Sequence, residues 1–148
     1  MIRIKAVDSQ NISAVCALTC GGDAVPAPDG RLCCNAISIA QSRFDPELHP
    51  NAIYSGSVPV GFFMYKRSEA QADTAVIRRF MLGGRHRERG LEEKALEHVL
   101  KGLKLQGVKK VLITAGAARE DAAELFLSLG FRPAGEGGCD GLCYELEM

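Results

Sequence analysis

The chain has 148 residues, of which 47% are hydrophobic and 24% charged, the balance of an ordinary globular protein read here as one domain over 1–148. Its 18 basic and 18 acidic side chains cancel, which argues against a nucleic-acid binder, whose domain normally shows a basic excess. No apolar run reaches the ~20 residues a membrane-spanning helix needs, and the N-terminal stretch lacks a signal-peptide core, so no membrane partner and a cytoplasmic protein are expected.

In chain order, Ile2 to Val7 alternates as a first strand. Asp8 or Ser9 is placed to cap a helix that turns Ile12, Val15, Cys16 and Leu18 inward. Gly21 to Gly30 is a loop by composition, and a short helix is expected from Asn35 to Gln41. Asn51–Ser55 and Val58–Lys66 read as a hairpin turning at Gly56-Ser57, and Ala75–Leu82 as a further strand rich in β-branched and aromatic residues. Leu91, Ala95, Val99 and Leu103 recur every fourth position with Leu96 and Leu100 beside them, a long amphipathic helix that Gly107 ends. Lys109–Thr114 is a short buried strand. Residues 119–129 form a last helix with Ala122, Leu125, Phe126 and Leu129 inward, stopped by Gly130. Phe131 opens the next strand and Tyr144–Met148 closes the sheet. The order β-α-α-β-β-β-α-β-α-β-β predicts an α/β (α+β) fold: a mixed, mostly antiparallel sheet with helices on both faces.

Six cysteines, at 16, 20, 33, 34, 139 and 143, show no C-x-x-C spacing. They read as reduced thiols behaving like small hydrophobes, and no metal site is expected. Charge concentrates elsewhere. Arg78, Arg79, Arg85, Arg87 and Arg89 crowd the passage from the strand ending at Leu82 to the long helix. Backbone N–H groups and a helix dipole converge there, which is how proteins hold phosphate. A local basic patch on a neutral chain points to a small anionic ligand.

These segments resemble the GNAT superfamily of N-acetyltransferases, and within it the spermidine/spermine (diamine) acetyltransferase-like branch. The resemblance rests on four stretches in order: Leu32 to Ala40; Asn51 to Gly56 with Val60 to Tyr65; Arg79 to Leu82; and Leu125 to Phe131. It implies acetyl-CoA as co-substrate and a small-molecule amine as acceptor, with direct transfer and no covalent enzyme intermediate. A homodimer is a further implication. It also implies a bulge that splays the fourth strand from the fifth, where backbone groups of Met81 and Leu82 pair with the pantetheine arm. A backbone N–H near Leu82 would face the thioester oxygen. The pyrophosphate would rest on N–H groups of residues 87–92, that is Arg87, Glu88, Arg89, Gly90, Leu91 and Glu92, with Arg119 in reach of a CoA phosphate.

The chain departs from the family pattern at identifiable positions. Arg87 and Gly90 match the phosphate signature, whereas Glu88 and Glu92 stand where small residues are usual. These glutamates either crowd the anion site or form a solvated network with the arginines. Phe126 holds the place of a tyrosine that protonates the departing thiolate, and Arg119 that of an asparagine. The fourth strand offers no carboxylate as general base. Tyr65, Glu69, Asp73, Asp29 and His86 are base candidates by rough position, and Asp23, Asp29, Asp45 and Glu47 are the acids on the acceptor side. Three readings stay open: an N-acetyltransferase, a catalytically impaired module that binds a ligand or regulates on the same fold, and a structural or interaction domain without CoA whose arginine cluster serves a partner surface.

Overall fold

Alternating apolar residues at the N-terminus build β1 (Ile2–Ala6), with Ile2 buried and Ile4 packed on the core, in a computed structural model that describes residues 1–18, 35–83, 89–114, 123–135 and 143–148. Asp8 Oδ1 then accepts the N–H groups of Gln10 and Asn11, each at 2.9 Å, while Asn11 Oδ1 accepts that of Asp8. This reciprocal turn leads into α1 (Ile12–Ala17), whose N-cap position falls on Asn11 rather than on Asp8 or Ser9. Only Val15 of α1 is buried. Ile12, expected inward, stands on the outer side and Cys16 is half-buried, because so short a helix meets the sheet through a single residue. In α2 (Asn35–Ser42) the buried residues are polar, Asn35 and Ser38.

The hairpin of β2 (Leu48–Ser55) and β3 (Val58–Lys66) turns at Gly56, whose φ of +64° suits a two-residue turn with glycine first. β2 begins before the expected Asn51 and includes Pro50. The proline is tolerated because β1 ends beside it: the Val7 N–H reaches the Pro50 carbonyl, and there is no ladder beyond. A single 3-10 turn (Glu69–Gln71) precedes β4 (Thr74–Leu82). The long α3 (Arg89–Leu105) ends at Gly107, where φ is +93°. Then come β5 (Lys110–Thr114), α4 (Ala123–Ser128), β6 (Arg132–Gly135) and β7 (Cys143–Glu147). The expected start of the last helix, 119–122, lies outside the described residues.

The element order is the expected one. The sheet has seven strands in the order β1-β2-β3-β4-β5-β7-β6, antiparallel throughout except for the parallel β4–β5 pair. Its larger core joins Ala95, Leu96, Val99, Leu100 and Leu103 of α3 and Phe126 of α4 to Ile53, Phe63, Ile77, Phe80 and Ile113. On the other face Val15 and Ile39, from α1 and α2, pack with Ala52, Phe62, Met64 and Met81.

Two features shape the sheet's centre. Met64 pairs with Arg79 and Tyr65 with Ile77, so Arg78 is an extra residue, a bulge in β4. The β4–β5 ladder runs from Thr74↔Lys110 to Ile77↔Ile113 and stops there, although β4 continues to Leu82. The bulge therefore sits where β4 parts from β5, as the resemblance implied.

Candidate active site

Beyond the bulge, β4 pairs with β3 alone among the described strands. The Gly83 N–H bonds the Val60 carbonyl at 2.8 Å, and the register continues as Gly61↔Leu82, Phe62↔Met81 and Phe63↔Phe80. In an antiparallel ladder successive residues turn their N–H and C=O groups to opposite edges. Residues 79, 81 and 83 therefore face β3, and Phe80 and Leu82 face the side that β5 has vacated. This corrects one expectation. Met81 turns its backbone toward Phe62 and cannot offer it to an added chain. Phe80, which sequence reasoning missed, stands in that place. Its phase is set by the bulge, and a bulge was expected near the strand's end without a residue assigned to it.

The two strands approach closely at this point. A methyl group added at Gly61 would lie 2.5 Å from both the Met81 carbonyl oxygen and Leu82 Cδ2. Glycine at 61 thus lets β3 support the stretch of β4 whose other edge is open. On the side-chain level Leu82 and Phe80 sink into the core under α3, at 1% and 2% exposure, so packing on the inward face holds the strand in place.

Past Leu82 the chain reaches α3, where Gly90 faces open space: a methyl group there would meet nothing within 4 Å. The first-turn N–H groups of Gly90, Leu91 and Glu92 have no carbonyl within the helix to bond. Glu92 is the departure. It is 5% exposed, on the inward face one turn before Ala95 and Leu96. Helical periodicity carries position 92 under the helix, which keeps its side chain away from solvent. Arg89 opens the helix. Arg87, Glu88, Arg119 and His86 lie outside the described residues, as do Asp23 and Asp29. Among the described residues, the β4 edge without a strand partner and the first turn of α3 fit a pantetheine arm and a phosphate, and Glu92 is the acidic side chain of that turn.

The proposed base candidates scatter. Tyr65 pairs with Ile77 below the bulge, and its hydroxyl lies 3.4 Å from Gln106 Oε1. Burial pushes its phenol up, against the opposing influence of Arg67 and Gln106, which makes it a poor proton acceptor. Glu69 and Asp73 sit at the start of β4, away from the parting, where the Asp73 carbonyl accepts N–H groups from Lys109 and Lys110. Asp45 and Glu47 both reach Lys66 Nζ, at 2.9 and 3.8 Å. The Lys66 hydrogen bond, first, and the Glu47 N–H hold the Asp45 carboxyl below the usual carboxylate range. Phe126 is buried at 1% exposure, its ring 5.9 Å from Phe131 and 5.4 Å from Tyr144. It packs as a core residue and has no proton to give. Among the described residues no cluster of side chains could hold a metal ion.

The opposite face of the parting is basic. Arg79 is cross-strand from Met64 and two residues before Met81, both of which pack under α1 and α2, so its side chain leaves the sheet on that face. Arg79 Nη1 donates to the Arg78 carbonyl at 3.0 Å. Arg78 is close enough to Asp45 to help depress that carboxyl.

Comparison with known proteins fits this architecture. The family described as Acetyltransferase (GNAT) family matches residues 24–131. Among curated proteins none matches. An acetyltransferase from Thermus thermophilus superposes with a TM-score of 0.72 at 21% identity, covering 100% of this chain and 97% of its own. A PaiA N-acetyltransferase from Thermoplasma acidophilum, solved in complex with coenzyme A, gives 0.67 at 12% identity, with 100% and 99% covered. The putative acetyltransferase YncA from Salmonella typhimurium, solved with its cofactor acetyl-CoA, gives 0.62 at 14%, with 99% and 93% covered. At such identities these structures speak for the fold, while the family match spans most of the sequence: the chain belongs to the GNAT acetyltransferase family.

Proposed function

We propose that the protein is an N-acetyltransferase that moves an acetyl group to a primary amine of a small molecule. Acetyl-CoA is the co-substrate of GNAT acetyltransferases and supplies the acetyl group as a thioester. The observation that carries the reading is the edge of β4 left open where the ladder to β5 stops at Ile77↔Ile113. Phe80 and Leu82 each present an N–H and a C=O there, the pattern an extended amide chain can pair with. The first turn of α3 lies beyond Leu82 and offers its N–H groups to phosphate oxygens. An arm anchored at α3 passes Leu82 first and Phe80 second. Phe80 is then the deeper donor, beside the bulge, and takes the thioester-oxygen contact expected near Leu82, while Leu82 pairs with the arm. Such a fixed donor is worth about 2.7–4 kcal/mol when it stabilises developing charge.

Proton traffic falls to water and to neighbouring groups. β4 carries no carboxylate, so solvent at the parting accepts the amine's proton. Phe126 cannot protonate the leaving thiolate, and a missing general acid typically costs 10²–10⁴-fold. Thiolates leave readily, which lowers that penalty. The finer assignment to a polyamine acceptor finds no support in Asp45 and Glu47, which are committed to Lys66.

A second reading, a ligand-binding or regulatory module without turnover, draws on Phe126 and on the buried Glu92. Calorimetric titration with acetyl-CoA, followed by thiol release with a panel of primary amines, separates the two. Saturable binding near micromolar with amine-dependent release supports the enzyme. Binding without release across the panel favours the module, and absence of binding at millimolar acetyl-CoA contradicts both.

A further inference from the structure

We propose that the acceptor is a primary amine bearing an anionic group, a carboxylate or a phosphate, recognised by Arg78 with support from Arg79. The inference rests on the acetyltransferase reading, because it uses the direction from which the acceptor must come. A donor arm anchored at the first turn of α3 enters from the α3 face of the sheet. The amine must then approach the parting of β4 and β5 from the face covered by α1 and α2.

That face carries two arginines at the bulge itself. Arg78 is the extra residue, and Arg79 follows on the side of Met64 and Met81. Both side chains are half-buried. Arg78 Nε is fully shielded from solvent and has no hydrogen-bond partner among the described residues. A desolvated guanidinium N–H is costly unless something accepts from it. Asp45 acts on Arg78 only at longer range, since its carboxylate is held by Lys66 at 2.9 Å. β4 contributes no carboxylate, so a cationic tail on the acceptor would meet like charge at this spot. A guanidinium carries its N–H groups in a planar fork, which matches a carboxylate or a phosphate two oxygens at a time.

The test compares three amines of matched length: δ-aminovalerate, pentylamine and cadaverine, which are anionic, neutral and cationic at the end remote from the amine. The phosphonate analogue of δ-aminovalerate distinguishes carboxylate from phosphate. Each is titrated by calorimetry into the protein with and without CoA, a readout that needs no turnover. The expected result is binding of one anionic member about 10- to 100-fold tighter than pentylamine, with cadaverine weakest. Arg78→Gln should bring the anionic and neutral ligands to near equality, and Arg78→Glu should turn the preference toward cadaverine. Arg78→Lys keeps the charge and should retain part of the preference, which separates lost recognition from a damaged fold. Equal binding of all three amines, preference for cadaverine, no binding of any, or an anionic preference untouched in Arg78→Gln overturns the proposal. If the charge preference holds and no amine releases CoA thiol from acetyl-CoA, it is the enzymatic reading that fails.

Discussion

At the scale of single residues, the site depends on what is missing from Gly61. A side chain there meets the Met81 carbonyl and Leu82, each at 2.5 Å, and backbone cannot move aside cheaply. Gly61→Ala is expected to lose about 1–3 kcal/mol of stability in denaturant unfolding, together with affinity for acetyl-CoA. Gly102, inside α3, is a contrast: a methyl there meets nothing within 4 Å. Gly102→Ala should gain about 0.5–1 kcal/mol, because the helix no longer carries glycine's backbone entropy. A gain at 61 similar to that at 102 would show that β3 and β4 are not closely apposed. Phe126→Tyr introduces a hydroxyl at the position where the resemblance implies the family's acid. Turnover should rise about tenfold or more at little change in acetyl-CoA affinity, and an unchanged rate would remove protonation of the thiolate as the slow step.

Asp45 makes a pH prediction whose sign is fixed by its lowered pKa. The folded carboxyl ionises below its unfolded value, so its stabilising contribution is present above the unfolded pKa of about 3.9. It is lost as pH falls through the folded pKa. Lys66→Met should move the Asp45 titration back toward the usual carboxylate range, as followed by side-chain NMR. A titration that does not move would mean that Lys66 is not its main partner.

At the scale of elements, α3 and the end of β4 carry the argument, and they show what a sequence can express. The inward face of α3 was legible because Ala95, Leu96, Val99, Leu100 and Leu103 repeat with the helix, and all are buried. The same periodicity, continued one turn toward the N-terminus, puts Glu92 on that face. Its charge left a surface reading open beside crowding of the anion site, and charge is a weaker guide to facing than position. The phase of β4 was hidden for a different reason. One extra residue at Arg78 inverts which side chains and amides point where, and nothing in the composition of Ile77-Arg78-Arg79-Phe80 marks the inversion. The start of β2 before Asn51 was hidden in the same local way, since only the position of β1's end makes Pro50 acceptable in the strand. Replacing Glu92 by glycine tests its role at this scale. If the carboxylate opposes a phosphate at the first turn, acetyl-CoA affinity should rise several-fold, with the gain shrinking in high salt. Unchanged affinity would make Glu92 a core-facing structural residue.

At the scale of the whole molecule, the order of elements was readable from periodicity and punctuation, and the sheet follows it strand for strand. The parallel β4–β5 pair set in an otherwise antiparallel sheet follows from α3 lying between those two strands in sequence. It also places the parting of the two strands beside the start of α3. The family signature thus has a physical basis: one helix start and one open strand edge, brought together by a single crossover. Chemistry was less legible than frame. The proposed chemistry resides in backbone amides and in which face an arginine leaves, neither of which side-chain identity reveals.

The measurement that bears most directly on this account is amide-resolved NMR of the protein during titration with acetyl-CoA. The account predicts saturable shifts at the Phe80 and Leu82 amides and at residues 90–92, with the Met81 amide, bonded to β3, moving least. Shifts that spare Phe80 and Leu82, or none at millimolar acetyl-CoA, would contradict the claim that the open edge of β4 is the cofactor site.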